Sequence, residues 1–344
     1  MKSFSKRHEK VLKAIIQSYI EDGKPIASEK LVNCCGKRLS SASIRIIMAE
    51  LEEMDYIHQP HTSAGRVPTD KGYRFYVDGL KGISHLKKNE MRNILTLKTS
   101  KGSYDIVVKK ATELLSQFTH YTTLILVSSE GEKRLKHLEL ILLSSKNILV
   151  IFVIDNARVK NDTIHPDKNI DNRNISRWNI WFDKNLTGLT VDEAREKLLK
   201  EIPLEKEAES IFKEVAYLLS SLGNRNEEPI YFSGDLNVFD QPEFGKIEKV
   251  KSFFHLLESK KKLIKLLNPY MEDNGIHVRI GKENTFEELA DFSLVTVPCR
   301  VGENATALLA VIGPKRMYYP KVISLLDYTA KILENKADES EVLK

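Results

Sequence analysis

Apolar residues at Val11, Leu12, Ile15, Ile16, Tyr19 and Ile20 recur in adjacent pairs every four positions. That spacing puts them on one face of a helix and is incompatible with the two-residue alternation of a strand. Ser5 can cap the start, and Gly23-Lys24-Pro25 ends it. A short second helix follows, capped by Ser28, with Leu31 and Val32 inward and Gly36 as its stop. A third begins at Ser40 or Ser41 and carries Ile44, Ile47, Met48, Leu51 and Met54 within about one third of its circumference. It fades at Asp55. Three helices of these lengths with tight turns restrict the N-terminal segment to a helix-turn-helix unit.

The next residues extend that unit. Tyr56-Ile57-His58-Gln59 reads as a short strand, His61-Thr62-Ser63-Ala64-Gly65 as a loop tip and Arg66-Val67 as the return, before Pro68 and a helix capped by Thr69. Strand, loop and strand after three helices make a wing, whose tip Gly65 would leave free to bend. The charged stretch 81–101 reads as a linker or connecting helix.

The body differs in kind. A helix near 105–119 precedes strand-like runs at 121–128, 135–144 and 147–155; further strands are expected at 276–280, 291–301 and 305–312, with a closing helix near 320–335. A segment rich in Leu, Lys and Glu separates the two sets. The expected fold class is multidomain α+β. Its divisions are a winged helix-turn-helix at 1–84, a linker at 85–104, a discontinuous body at 105–168 and 256–338, a helix-rich insert at 169–255 and a tail at 339–344.

Charge is distributed unevenly. Residues 1–48 hold ten Lys/Arg against four Asp/Glu, whereas the whole chain is only +5, so the remainder is close to neutral. A basic head on a near-neutral body suits a polyanion-binding module joined to an assembly or sensing module. The three cysteines, Cys34, Cys35 and Cys299, cannot make a disulfide framework and read as reduced cytosolic thiols. No apolar h-region follows the N-terminal charges, and the longest apolar run, 148–154, is of strand length. A soluble, cytoplasmic protein without a membrane partner is expected.

On the third helix, the face opposite the apolar stripe carries Ala42, Arg45, Ile46, Ala49 and Glu53. A solvated face would be richer in Lys and Glu. Arg45 suits guanine edges, and Ala42 or Ile46 a thymine methyl; the other reading of Ile46 is packing against the wing or a partner. Lys37, Arg38, Ser41 and Ser43 lie at or before the helix start, where cations, hydroxyls and backbone N–H groups hold phosphates. Ordinary surface charge is the alternative for Lys37 and Arg38. In the wing, His61, Thr62, Ser63 and Arg66 are placed to reach backbone or minor groove. His58 and His61 lack a suitably spaced carboxylate or Cys for a metal.

The string QPHTSAGRVPTDKGYR at 59–74 is long and distinctive. With PIASEKL at 25–31, SSASIR at 40–45 and MAELEEM at 48–54, it closely resembles the HrcA family of bacterial heat-inducible transcription repressors. The likeness continues through GLTVDEAR at 188–195, DQPEF at 240–244, VRIGKEN at 278–284 and AVIGPKRMYYPKVISLLDY at 310–328. It implies a winged helix-turn-helix, a GAF-like body and an inserted dimerising domain. It further implies a homodimer on an inverted-repeat operator called CIRCE in double-stranded DNA upstream of chaperone operons, held active by the GroEL chaperonin. One departure stands out: Ile46-Ile47 occupy positions where the family commonly has Asn-Asp. Ile47 falls on the buried side of the wheel and Ile46 on the groove side, which puts base readout there in question.

Two other functions compete with this reading. A regulator sensing a small ligand through the GAF-like body is the alternative, although strands 291–301 and 305–312 read as core. An enzyme would require chemistry that no P-loop, GxGxxG, GxSxG, HExxH or paired-Cys motif supplies, and no cofactor is expected. For the insert, Trp178, Trp181, Phe182 and Phe212 are candidates for a dimer contact or for the insert's own core.

Overall fold

The structure, a computed structural model, describes residues 4–34, 40–62, 64–80, 86–100, 104–129, 134–154, 158–201, 206–223, 229–241, 247–273, 275–302 and 305–342. It is mixed α and β. The helices are α1 Lys6–Asp22, α2 Ser28–Cys34, α3 Ser41–Glu53, α4 Asp70–Asp78, α5 Lys88–Thr99, α6 Tyr104–Thr119, α7 Asn172–Leu186, α8 Val191–Lys200, α9 Lys206–Gly223, α10 Ile247–Glu258, α11 Lys260–Leu267 and α12 Tyr319–Val342. The strands are β1 Ile57–His58, β2 Val67–Pro68, β3 Thr122–Ser129, β4 Leu135–Ser144, β5 Asn147–Ile154, β6 Arg158–Ile164, β7 Ile230–Ser233, β8 His277–Ile280, β9 Phe292–Gly302 and β10 Ala305–Pro314. Two compact units result. One comprises Met1–Leu126, Ile230–Val301 and Ala307–Lys344, the other Val127–Pro229 with Gly302–Thr306.

The first unit opens as the apolar spacing requires. Ser5 caps α1 by accepting from the His8 amide at 3.3 Å, while its own amide donates to His8 Nδ1 at 3.0 Å. Val11, Leu12, Ile15 and Ile16 are buried where α1 packs on α2 and α3, whose Leu31, Ile44 and Leu51 are buried too. Behind α3, β1 and β2 form an antiparallel ribbon with Ile57 opposite Pro68, and α4 starts where Thr69 Oγ1 accepts from the Gly72 amide. The stretch expected as a linker is largely α5, which turns Glu90, Ile94 and Leu97 inward. A five-stranded sheet of order β7-β3-β10-β9-β8 completes the unit. Leu124, Leu126, Leu294, Leu308 and Ile312 fill one face of it with Phe253, Leu256 and Leu263. Phe253 stacks on Phe292 with centroids 4.6 Å apart, so apolar side chains occupy this layer.

Inside the first unit, α4 is fastened to residues far along the chain. Arg74 donates through Nε to Glu283 at 3.0 Å, through Nη2 to the Val278 carbonyl at 2.6 Å and to the Glu283 carboxylate, and through Nη1 to Asp78 at 3.1 Å. Asp70 accepts from Lys315 Nζ at 2.7 Å and from the Lys282 amide at 3.1 Å. Gly281, at φ +54°, lies so close to Asp70 that a Cβ would overlap the carboxylate. The Glu283 hydrogen bond leads the influences that hold the Arg74 guanidinium above even its usual high range.

The second unit divides the chain at other points than the sequence suggests. β4 and β5 read as parts of the main sheet, yet they pair with β6 in a separate antiparallel sheet of order β4-β5-β6. The helices α7, α8 and α9 share its core. The second compact unit thus takes in 127–229 together with 302–306, whereas an insert over 169–255 was expected. The physical reason is β6, Arg-Val-Lys-Asn-Asp-Thr-Ile, whose charged residues obscured the third partner that keeps β4 and β5 out of the main sheet. Along β5, Ile148, Val150, Phe152 and Ile154 are buried, while Leu149, Ile151 and Val153 on the other face are half-buried and equally apolar. Asn179 blocks the outer edge of β4, accepting from the Leu140 amide at 2.8 Å and donating to its carbonyl at 2.9 Å.

Candidate nucleic-acid interface

Ser40 caps α3, its hydroxyl accepting from the Ser43 amide at 3.2 Å. The two faces of the helix separate sharply. Ile44, Ile47, Met48 and Leu51 are buried, whereas Ala42, Arg45, Ile46, Ala49 and Glu53 are exposed. Ile46 is 63% exposed, although an isoleucine side chain stabilises a fold by about 1.5–3 kcal/mol when fully buried. The packing reading of Ile46 against the ribbon thus finds no support within the chain. Ser41 and Ser43 are half-buried at the helix start.

Arg45 does not extend freely from α3. Its Nε donates to Ser28 Oγ at 3.1 Å and its Nη2 to the Glu29 carboxylate, both on α2. Ser28 Oγ in turn lies 3.1 Å from Ser41 Oγ, tying the starts of α2 and α3 together. Glu29 is held below the ordinary carboxylate range, first by a hydrogen bond from its own backbone amide and then by Arg45. Neither Ser28 nor Glu29 was legible as part of the site, because a turn brings them beside Arg45.

The ribbon is braced from beneath. Gln59 Nε2 donates to the carbonyls of Thr62 and Ala64, both at 2.9 Å, and closes the loop on itself. Glu52 accepts from the Gln59 amide at 2.9 Å and from Arg66 Nε at 2.8 Å. Arg66 is therefore half-buried in a brace, while His61 and Thr62 are exposed at the tip. Gly65 has a different role from the expected loop freedom. Ile26 and Arg66 exchange backbone hydrogen bonds of 2.9 Å in each direction, and a Cβ at Gly65 would overlap the Ile26 carbonyl. Close approach of two backbones requires the glycine. Lys37, Arg38 and Ser63 lie outside the described residues.

The aromatic candidates of the insert face inward. Trp178, Phe182 and Phe212 are buried in the second unit's own core, and the half-buried Trp181 meets Phe182 edge-on at 5.9 Å and Phe212 at a tilt at 5.1 Å between centroids. A side chain buried within its own unit has no surface left for a partner, so Trp178, Phe182 and Phe212 serve packing, while Trp181 keeps part of its ring exposed. Among the described residues no cluster of three His, Cys, Asp or Glu side chains could hold a metal, and no helix is long and apolar enough to cross a membrane.

Comparison with known proteins then adds to the geometry. Residues 105–323 match the family model described as the HrcA protein C-terminal domain. The chain is 34% identical over 336 residues to the heat-inducible transcription repressor HrcA of Geobacter sulfurreducens, covering 97% of this chain and 98% of that protein. It is 36% identical over 331 residues to the protein of the same name from Pelotomaculum thermopropionicum, with 95% of each covered. A crystal structure of a hypothetical protein matches with a TM-score of 0.68 at 24% identity, over 98% of this chain and 100% of that one.

Proposed function

This chain belongs to the HrcA family of heat-inducible transcription repressors, and we propose that it represses by binding double-stranded DNA sequence-specifically through the exposed face of α3. In this reading residues 1–84 form a winged helix-turn-helix, with α3 in the major groove and the β1–β2 ribbon as the wing against the backbone. The observation that carries it is the composition of that face: small Ala42 and Ala49, a lone apolar Ile46 and a guanidinium at Arg45. Small residues allow close approach, and the other two offer a hydrogen-bonding fork and a methyl contact. Ser41, Ser43, Lys37, Arg38, His61, Thr62, Ser63 and Arg66 supply phosphate contacts around it.

The operator is an inverted repeat of the CIRCE type upstream of chaperone operons, bound by a homodimer, with a GAF-like body as the frame. The dimer contact lies on the second unit, but not at its buried aromatics. Leu149, Ile151 and Val153 form an apolar row on the sheet face, flanked by exposed Ile141 and Val159. With the β4 edge blocked by Asn179, face-to-face packing with a second copy is the way open to that side of the sheet. A GroEL-type chaperonin favours the binding-competent fold, so diverting it lowers the population able to repress.

The deciding experiment is selection of bound duplexes from a random pool by the full-length chain, with and without chaperonin. A two-fold symmetric consensus supports the reading; recovery of no sequence above background overturns it. Ile151→Lys should yield a monomer by light scattering with weakened operator affinity. A variant that stays dimeric removes the sheet face from the model of assembly.

A further inference from the structure

We infer that Glu29, with Ser28, is a specificity-determining positioning residue that aims the Arg45 guanidinium at a purine edge. The inference rests on the DNA-binding reading of α3 and deepens it. A guanidinium carries five N–H donors in a planar fork. Here the Nε donor and one Nη2 donor point back into α2, toward Ser28 and Glu29. Among the described residues that leaves the two Nη1 donors and the second Nη2 donor, and the outward pair matches the O6 and N7 acceptors of guanine.

Energetics show why the pair is not there for folding. The side chains are 68% exposed at Arg45 and 62% at Glu29. Pairs this exposed contribute little to stability, because water screens them and ordering two flexible side chains opposes the attraction. Their effect is instead geometric. An unrestrained arginine samples many rotamers, and each must be frozen when a base is read; one already pinned along its Nε side loses less entropy on binding. The pin itself is anchored, since Ser28 Oγ also meets Ser41 Oγ at the start of α3. Glu29 belongs to the first turn of α2, whose Ser28 and Leu31 are buried, so the carboxylate stands on a fixed segment.

A negative charge near DNA also repels phosphate, and the test must separate that effect from positioning. Both Glu29→Ala and Glu29→Gln remove the charge, but only the glutamine keeps an oxygen able to accept from Arg45. Full-length wild type, the two Glu29 variants, Ser28→Ala and Arg45→Ala are titrated against the selected duplex, every symmetric base-pair substitution in it, and random duplex. Glu29→Ala should lose about tenfold in discrimination at the same base pair that Arg45→Ala affects, with random-duplex affinity unchanged or raised. Glu29→Gln should retain most of that discrimination, and melting temperatures should not move. Equal gains for both Glu29 variants on every duplex, with discrimination intact, overturn the inference and leave Glu29 a repelling charge. A wild type that fails to separate any duplex from random overturns the DNA reading along with it.

Discussion

Helices α3 and α4 lie close in sequence within one unit, and each carries an arginine, yet the two arginines are used in opposite ways. Arg74 on α4 commits four of its five donors to Glu283, Asp78 and the Val278 carbonyl, and Asp70 one turn earlier holds Lys315 and the Lys282 amide. Among the described residues, Arg45 on α3 is pinned along one side and its outer edge is open. The same residue type is thus a fastening in one helix and a presented group in the other. What distinguishes them is how many donors remain once the chain's own acceptors are counted, a more discriminating test of an interface than exposure or charge alone.

The largest expected effect strikes the fastening. Arg74→Ala leaves Glu283 half-buried without its cation and strips a donor from the Val278 carbonyl. Losses of this kind cost about 2–3 kcal/mol, readable in a chemical denaturation curve. Operator affinity of the folded protein should stay within about threefold of wild type, since phosphate and base contacts elsewhere are untouched. A variant that folds normally but loses operator binding would break the contrast and make α4 part of the interface.

Next in size is the presented arginine. Arg45→Ala should weaken operator binding by about 1–3 kcal/mol and relax specificity at one position of each half-site. Its folding free energy should change by no more than about 1 kcal/mol. A uniform loss over all duplexes, random ones included, would assign Arg45 to phosphate. Ile46→Asn should be smaller still in affinity, within about tenfold, and near-neutral for an exposed site in stability. Its signature is qualitative: selection should recover a different preferred base beside the Arg45 position, because a hydrogen-bonding amide replaces a methyl contact. An unchanged consensus would remove Ile46 from base reading.

The contrast between the helices also marks how far the sequence could be read. On α3 the cap, the apolar stripe and the presented face follow from local spacing, since one turn of helix fixes which residues share a side. The α4 fastening depends on residues 278–283 and 315, more than two hundred positions away. No periodicity announces such a pairing. Gly65 shows the same limit at short range: a glycine after a loop reads as freedom, whereas the bridge to Ile26 demands it for contact. The insert boundary failed for a third reason. Apolar runs at β4 and β5 identify strands but not their partners, and the deciding partner, β6, is polar enough to pass for a loop.

The smallest expected effect concerns acidity, and it sharpens the account of the presented arginine. Glu29 titrates below the ordinary value of 4.5, owing first to its own backbone hydrogen bond and next to Arg45. A carboxylate depressed in the folded state contributes while ionised and loses its contribution as pH falls through that lowered value. Its pairing with Arg45 therefore holds from alkaline pH down past the usual carboxylate range. Discrimination at the Arg45 base pair, followed by fluorescence anisotropy, should be flat between about pH 8 and 5 and decline only below that. Glu29→Gln should remove the acid limb, because an amide has no proton to gain. Discrimination that changed instead well above the carboxylate range would take the control away from Glu29. The Arg45–Glu29 pair would then be a bystander, and the orientation of the guanidinium would have to come from the duplex itself.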